Sequence, residues 1–338
     1  MRRLLAILAL ACAACATPSA PAAELVERSR IAMGSQLRLA AWTTDESAAA
    51  AAFEQVFREF DRLEALMSVW RPGSDVVRMN EAAGQAPVPV SAETLDVLAA
   101  ARQASEWTGG KFDITFGALA DIWKFDHDQD NVVPDRRAIE ARLPLVDYRA
   151  VEIDRAAGTA YIRTPGARVH LGGIGKGYAV DRAAALLRAR GFANFLIQSG
   201  GDLYVAGRNG EVPWKLGIND PRGPAGHSFA TLELGDGTFS TSGDYERFFI
   251  KDGTRYHHLI DPDRGAPATG TRSVTIVADS AMLADVLSTG VFIMGPAGGM
   301  ALIEQLPQVE GVIVTAANEV LVSSGLKGRL TLLAPPTR

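Results

Sequence analysis

The segment His170–Gly191, HLGGIGKGYAVDRAAALLRARG, decides which nucleotide-binding arrangements remain open to this chain. Its first part packs four glycines and one lysine into the six residues from Gly172 to Gly177. Its second part carries apolar residues at helical spacing and stops at Gly191, a natural residue just beyond a helix end. Glycines in such a turn permit positive φ and close approach of a ligand to the backbone, and a helix N-terminus offers unpaired N–H groups and a favourable dipole to an anion. A phosphate or a metal ion suits the turn. The P-loop pattern fails, because Lys176 is followed by Gly177 instead of a hydroxyl residue and His170 stands where the first glycine belongs. The dinucleotide pattern G-x-G-x-x-G fails as well, with Tyr178 and Val180 in the required glycine positions. If the turn holds a nucleotide, it does so in another way.

On either side of this segment the chain changes character. Before it, DESAAAAAFEQVFREFDRLEALMS repeats Phe53, Val56, Phe57, Phe60, Leu63, Leu66 and Met67 at three- and four-residue intervals, which predicts a long core helix capped near Thr44 or Asp45. SAETLDVLAAARQASEWTGG predicts a second helix from Ser91 to Gly109, and the stretch between the two, VWRPGSDVVRMNEAAG, reads as irregular. After Pro144 strands dominate, in AVEID, AYIRT, NFLIQSGGDLYVAG, WKLGI, SFATLEL, RFFIKDGTRYHHLID and SVTIVA, with STSG read as a hydroxyl-rich turn. DSAMLADVLSTGVFIMG returns to helix, capped by Asp279 or Ser280. Helices, then mixed strands, then helices again predict an α+β fold, mixed or antiparallel sheets with packed helices in a two-lobed single unit.

Composition bounds the function. With 338 residues, 47% hydrophobic and 22% charged, the chain is that of a folded soluble protein. Its start, MRR followed by LLAILALACAAC and ATPSAPAAE, has the charged, apolar and small-residue regions of an export signal, too short to span a bilayer as a lasting anchor. We read residues 1–16 as this signal, 17–29 as a linker and 30–330 as the functional unit, placed in the periplasm. Cys12 and Cys15 are the only cysteines, so the folded body has neither disulfide nor thiol chemistry. Lipidation at Cys15 or Cys12, with attachment to the membrane, stands beside plain cleavage after Ala14-Cys15-Ala16. Losing residues 1–16 removes Arg2 and Arg3 and no acid, leaving 32 basic against 39 acidic residues, a net charge of −7. Without a basic run, nucleic acid is excluded as a partner.

Several residues carry chemistry in their type and spacing. Asp285 and Thr289, four apart in an apolar helix, share a face, and a carboxylate there needs a cation, donors or a metal. With a carbonyl from the glycine turn they form an all-oxygen set suited to Mg²⁺; a helix carboxylate bonded to nearby backbone is the plainer reading. His257 and His258 lie on opposite faces of a strand, so one at most addresses a given site. Phe112, Asp113 and Trp123 either belong to the core or clasp a planar ring. Asp126, Asp128 and Asp130 mimic the start of a calcium loop, but Asn131 at its sixth position and Arg137 at its twelfth break the pattern, so the loop reads as solvated.

Together the stretches MGS, MSVWRPGSDVVRMN, GGKFDITFGALADIW, HLGGIGKGYAVD, IQSGGDLYVAG, PWKLGINDP, STSGDYERFF, YHHLIDPDRG and ADVLSTGVFIMG, in this order from Met33 to about Leu326, resemble the ApbE-type FAD:protein FMN transferase family. The resemblance implies an α+β fold that binds FAD with Mg²⁺ and moves FMN onto a Thr or Ser hydroxyl of an acceptor protein, with AMP leaving. It implies that Met33, Trp70, Phe112, Asp113, Tyr178 and Ile260 line the FAD pocket, with backbone contacts from Lys111 and Gly172. Gly175 through its carbonyl, Asp285 and Thr289 are the implied metal ligands. His258 is the first candidate for the base, with Asp244 behind it, and Lys176 either offsets phosphate charge, the favoured role, or merely caps the turn. Trp70 stands where the family usually has Tyr, which keeps a stacking face and removes a hydroxyl; Gly175 and Ser35 stand where it often has Ala and Thr. An FAD pyrophosphatase and a non-catalytic flavin-binding lipoprotein are the rival readings.

Overall fold

The computed structural model describes residues 22–338. The chain opens with a hairpin of β1 (Glu24–Ala32) and β2 (Ser35–Thr43), then α1 (Glu46–Met67), α2 (Asp75–Glu81), β3 (Val88–Pro89), α3 (Ala92–Trp107), α4 (Gly117–Ala120) and α5 (Arg136–Arg142). The hairpin β4 (Val151–Asp154) and β5 (Thr159–Ile162) leads to α6 (Gly175–Ala189), β6 (Phe195–Ser199), β7 (Asp202–Ala206), β8 (Trp214–Asn219), β9 (Ser228–Leu234) and β10 (Gly237–Gly243). Next come β11 (Phe248–Lys251), β12 (Thr254–His257), β13 (Ile260–Asp261), β14 (Ala266–Pro267) and β15 (Thr271–Ala278). The chain ends with α7 (Ala281–Met294), α8 (Pro296–Gln305), β16 (Glu310–Thr315), β17 (Val320–Val322) and β18 (Leu330–Leu332).

Eight strands form one antiparallel sheet in the order β1-β2-β6-β7-β10-β15-β16-β17, which makes the fold α+β as the element order predicts. Side chains alternate across it, as the pleat requires. Leu37, Leu39, Phe195, Ile197 and Ile313 point into a core shared with α1, α3, α6 and α7, while Ala40, Leu196, Val312 and Val314 point into a second core under β8, β9 and β18. A third cluster of Leu119, Trp123, Phe125, Phe249 and Ile260 is the centre of a smaller lobe. Helix starts follow the side-chain caps: Asp45, Ser91 and Ser280 each accept an N–H of the first turn.

Three sequence expectations are corrected. The segment read as a linker already holds β1 from Glu24 onward, paired along its length with β2; residues 1–21, with the export signal and both cysteines, lie outside the described residues. The stretch read as irregular contains α2, capped by Ser74 and held through Asp75, whose carboxylate accepts from Ser91 and Thr94. The residues read as a hydroxyl-rich turn are the end of strand β10, with Thr241 paired to Thr275 of β15. No helix among the described residues is long and apolar enough to cross a membrane.

Candidate active site

A cavity of about 360 Å³ lies where the β1–β2 and β6–β7 turns, the end of β10, the start of α6, one face of α7 and the segments around Lys111–Asp128 and His258–Pro262 converge. The glycine turn forms one wall, though for a reason other than backbone conformation. Gly172, Gly173, Gly175 and Gly177 are absent from the positive-φ residues. Space is what three of them supply. A Cβ on Gly177 would lie 2.4 Å from the Ala281 carbonyl oxygen and 2.7 Å from Asp285 Cβ, so glycine lets α6 and α7 touch, and a Cβ on Gly173 would crowd Phe112 and Thr289 at 3.3 and 3.4 Å. The α6 N-terminus does hold an anion: the Gly177 N–H donates to Asp285 Oδ2 at 2.9 Å.

That carboxylate belongs to a buried charge cluster. Lys176 Nζ lies 2.7 Å from Asp202 Oδ2 and 3.7 Å from Asp285 Oδ2, with Asp202 and Asp285 only 2% and 3% exposed. Burial first, and repulsion from Asp202 second, push the Asp285 carboxyl up to about 7, against the opposing pull of Lys176 and the Gly177 N–H. Burial alone would lower the Lys176 ammonium; Asp202 and then Asp285 outweigh it and hold it above the usual lysine range. Beneath the cluster runs a chain of hydroxyls. Ser240 donates to Asp202 Oδ1, Ser242 and Ser288 share a bond of 2.8 Å, and Ser242 reaches Thr289 Oγ1 at 3.2 Å. Asp285, Thr289 and Ser242 all line the cavity.

Removing the cation tests this cluster. Lys176→Met leaves two buried carboxylates without their partner, and an orphaned buried charge costs about 3–5 kcal/mol. We expect a loss of that order in denaturant unfolding, larger at pH 8 than at pH 6 because protonation relieves the repulsion, and largely recovered when Asp202→Asn is added.

Most sequence-predicted residues meet here. Trp70, Lys111, Phe112, Asp113, Gly172, Lys176, His258, Ile260, Asp285 and Thr289 all line the cavity. Trp70 is half exposed at the wall and meets His127 edge-on, ring centres 4.4 Å apart. The Lys111 ammonium is taken by Asp261 and Asp263 at 2.7 and 2.8 Å, which leaves its backbone to the wall. Asp113 is engaged through both oxygens, accepting from Thr115 and from the Tyr148 N–H, so it shapes the wall more than it receives a ligand.

Four predicted residues stand elsewhere. Tyr178 packs in the core, because two helical residues beyond the wall residue Lys176 turn a side chain by roughly 200°. Met33 packs against the same core and donates its N–H to Glu64, while its neighbours Gly34 and Ser35 reach the cavity. Gly175 sits between the lining residues Gly173 and Lys176 without itself being one of them. Asp244 does not back His258: its carboxylate is held by Arg222 in two bonds of 2.7 Å.

The partner of His258 is the Arg247 carbonyl, 3.3 Å from Nδ1. A carbonyl only accepts, so Nδ1 carries the proton and Nε2 keeps its lone pair. Burial, followed by the Arg247 and neighbouring cationic charges, lowers the His258 ring to about 3, so it is neutral at ordinary pH. Sequence reading assigned no role to Arg247, Asp202, His170, Asn80 and Glu246, all lining residues. Arg247 is held by Asp126, so the acidic loop read as solvated contributes to the wall. Its signal was present in STSGDYERFF, as that of Asp202 was in IQSGGDLYVAG, without anything in the spacing to mark these residues out.

A family model described as the ApbE family matches residues 33–313. An FAD:protein FMN transferase of Klebsiella pneumoniae is 31% identical over 306 residues, spanning 90% of this chain and 94% of that protein, and one of Treponema pallidum is 32% identical over 322 residues, spanning 90% and 89%. Among solved structures, the ApbE protein of Thermotoga maritima superposes with a TM-score of 0.83 at 32% identity, covering 90% of this chain and 99% of that one. The flavin transferase ApbE of Vibrio cholerae gives 0.82 at 30%, covering 91% and 99%.

Proposed function

The chain belongs to the ApbE family, and from that membership and the cavity's geometry we propose that it transfers FMN from FAD to a Ser or Thr hydroxyl of an acceptor protein in a Mg²⁺-dependent reaction that releases AMP. It is an enzyme, an FAD:protein FMN transferase. The observation that carries the finer reading is the meeting of Lys176, Asp285, Thr289 and His258 on one cavity that also presents Trp70 and Phe112.

Mg²⁺ fits the donors. Among the described residues no three His, Cys, Asp or Glu side chains converge as a metal cage. One carboxylate and one hydroxyl, Asp285 and Thr289, match an ion that takes few protein ligands and completes its shell with water and phosphate. When bound, the ion supplies charge neutralisation at the diphosphate. The rest falls to the chain. Lys176 and Arg247 add positive charge at the same wall, and Trp70 and Phe112 offer flat faces to a flavin. His258, neutral with its Nε2 lone pair free, takes the acceptor hydroxyl's proton as the new O–P bond forms at the phosphorus nearer riboflavin and the bond to the bridging oxygen breaks, releasing AMP.

We also place the enzyme outside the cytoplasm, attached by a lipidated cysteine or free in the periplasm; the residue pattern of 1–16 supports this. Mass spectrometry of the mature N-terminus decides between the two. For the activity, the protein incubated with FAD, Mg²⁺ and a flavin-accepting domain is expected to yield a band that stays fluorescent after denaturing electrophoresis, with one AMP released per flavin attached. AMP release without labelling would instead identify an FAD pyrophosphatase, and neither product would identify a flavin carrier.

A further inference from the structure

His170 sits at the head of the glycine turn, on the cavity wall, and has no part in the mechanism above. Two contacts fix its ring. The Gly172 N–H donates to His170 Nδ1 at 3.0 Å, and the ring tilts against Phe116 with centres 5.3 Å apart. Gly172 accommodates this closely: a Cβ there would lie 2.7 Å from His170 Cε1 and 3.0 Å from Nδ1, so any side chain at 172 would displace the ring. A nitrogen that accepts an N–H carries no proton, so Nδ1 is bare and the hydrogen of the neutral ring resides on Nε2. That Nε2–H has no hydrogen-bond partner among the described residues. The backbone thus sets the tautomer and leaves one donor unspent on a residue of the cavity wall.

We propose that His170 is a nucleotide-binding residue, donating its Nε2–H to a diphosphate oxygen of the bound flavin nucleotide; this rests on the flavin-transferase reading above. A phosphate oxygen is the acceptor because the ring shares the cavity wall with cationic side chains, Arg247 and Lys176 among them. Burial, reinforced by Arg247 and opposed by Asp126, lowers the ring below the usual histidine range, so it stays neutral and keeps this tautomer at ordinary pH. A neutral donor beside two cations adds direction without adding charge, fixing where the diphosphate lies along a wall that charge alone would leave loosely defined.

The test uses two substitutions that each keep half of the imidazole. Asparagine in His170→Asn puts an acceptor near the place of Nδ1, preserves the Gly172 bond and does not reach the place of Nε2. Glutamine in His170→Gln puts a donor near the place of Nε2 and loses that bond. Binding of FAD, ADP and riboflavin is measured by calorimetry on the full chain, with a thermal melt of each variant. H170N is expected to melt as wild type and to bind FAD and ADP about tenfold more weakly, the worth of one hydrogen bond to a charged group, with riboflavin unchanged. H170Q is expected to keep most of the affinity. Equal losses in both variants, or a loss that follows a fall in melting temperature, would make the ring a packing element and overturn the assignment. Weakening confined to FAD and riboflavin would overturn it too, by moving the donor to the flavin ring. Unchanged binding in both variants would overturn it while leaving the flavin reading intact. Failure of the wild type to bind FAD or ADP would overturn that reading and the assignment together.

Discussion

Asp285→Ala is expected to abolish covalent flavin transfer. Asp285 takes the Gly177 N–H, lies near Lys176 and lines the cavity with Thr289, and losing several kcal/mol of charge stabilisation at the diphosphate corresponds to roughly a thousandfold or more in rate. Asp285→Asn separates charge from structure. Its amide oxygen still accepts from Gly177, so it should fold as well as the parent and label as poorly as the alanine variant. The proton on Asp285 adds a second signature. A carboxyl raised to about 7 in the folded chain keeps a proton that the unfolded chain has released, so with no cation present stability falls as pH climbs from about 4 toward 7. A divalent cation takes the proton's place. Apparent Mg²⁺ affinity should therefore rise about tenfold per unit below pH 7 and level off above it, and this dependence should vanish in D285N. In-gel flavin fluorescence across a Mg²⁺ and pH grid checks both; undiminished labelling by either variant removes Asp285 from the site.

That carboxylate was legible in the sequence because the information was local. Asp285 and Thr289 are four apart in a helix that is otherwise apolar, and the pattern alone puts them on one face. The helices α1, α3, α6 and α7 were legible for the same reason, each with its cap or its terminal glycine beside it. What escaped was set by partners distant along the chain. The end of β10 carries turn-forming residues, and it is a strand because Ser240, Ser242 and Thr241 find hydroxyl partners on α7 and β15. Helix α2 is seven residues long, with Asp75 answered by the start of α3. Strand β1 is polar because it forms the edge of the sheet, paired on one side only, so no apolar alternation marks it. Asp244 looked like a partner for His258 because both lie in one short stretch. The pleat and Arg222 take it elsewhere, and a backbone carbonyl, which no residue type advertises, does its orienting work.

This last point shapes the expected result for His258→Ala, a fall in turnover of about a hundredfold or more with FAD affinity nearly unchanged. The ring is oriented for accepting a proton, with Nδ1–H on the Arg247 carbonyl and the Nε2 lone pair free, yet burial and the nearby cations hold it at about 3 in the unliganded chain. So weak a base would take little of a hydroxyl's proton. The substrate alters that balance: the diphosphate brings negative charge beside Arg247 and Lys176, the cations that help to depress the ring, and its arrival raises the basicity of His258 when the acceptor hydroxyl is to be activated. The pH profiles should divide accordingly. The acid limb of kcat/KM for FAD at saturating Mg²⁺, which reports the free enzyme, should show nothing from His258 down to pH 5, whereas the limb of kcat, which reports the FAD complex, should lie above 3 and disappear in H258A. Asp244→Asn should leave the kcat limb in place, since its carboxylate answers Arg222. If D244N shifts that limb as far as H258A removes it, the carbonyl is not the orienting group; if H258A costs as much in FAD affinity as in turnover, His258 belongs to the binding wall and the proton goes elsewhere.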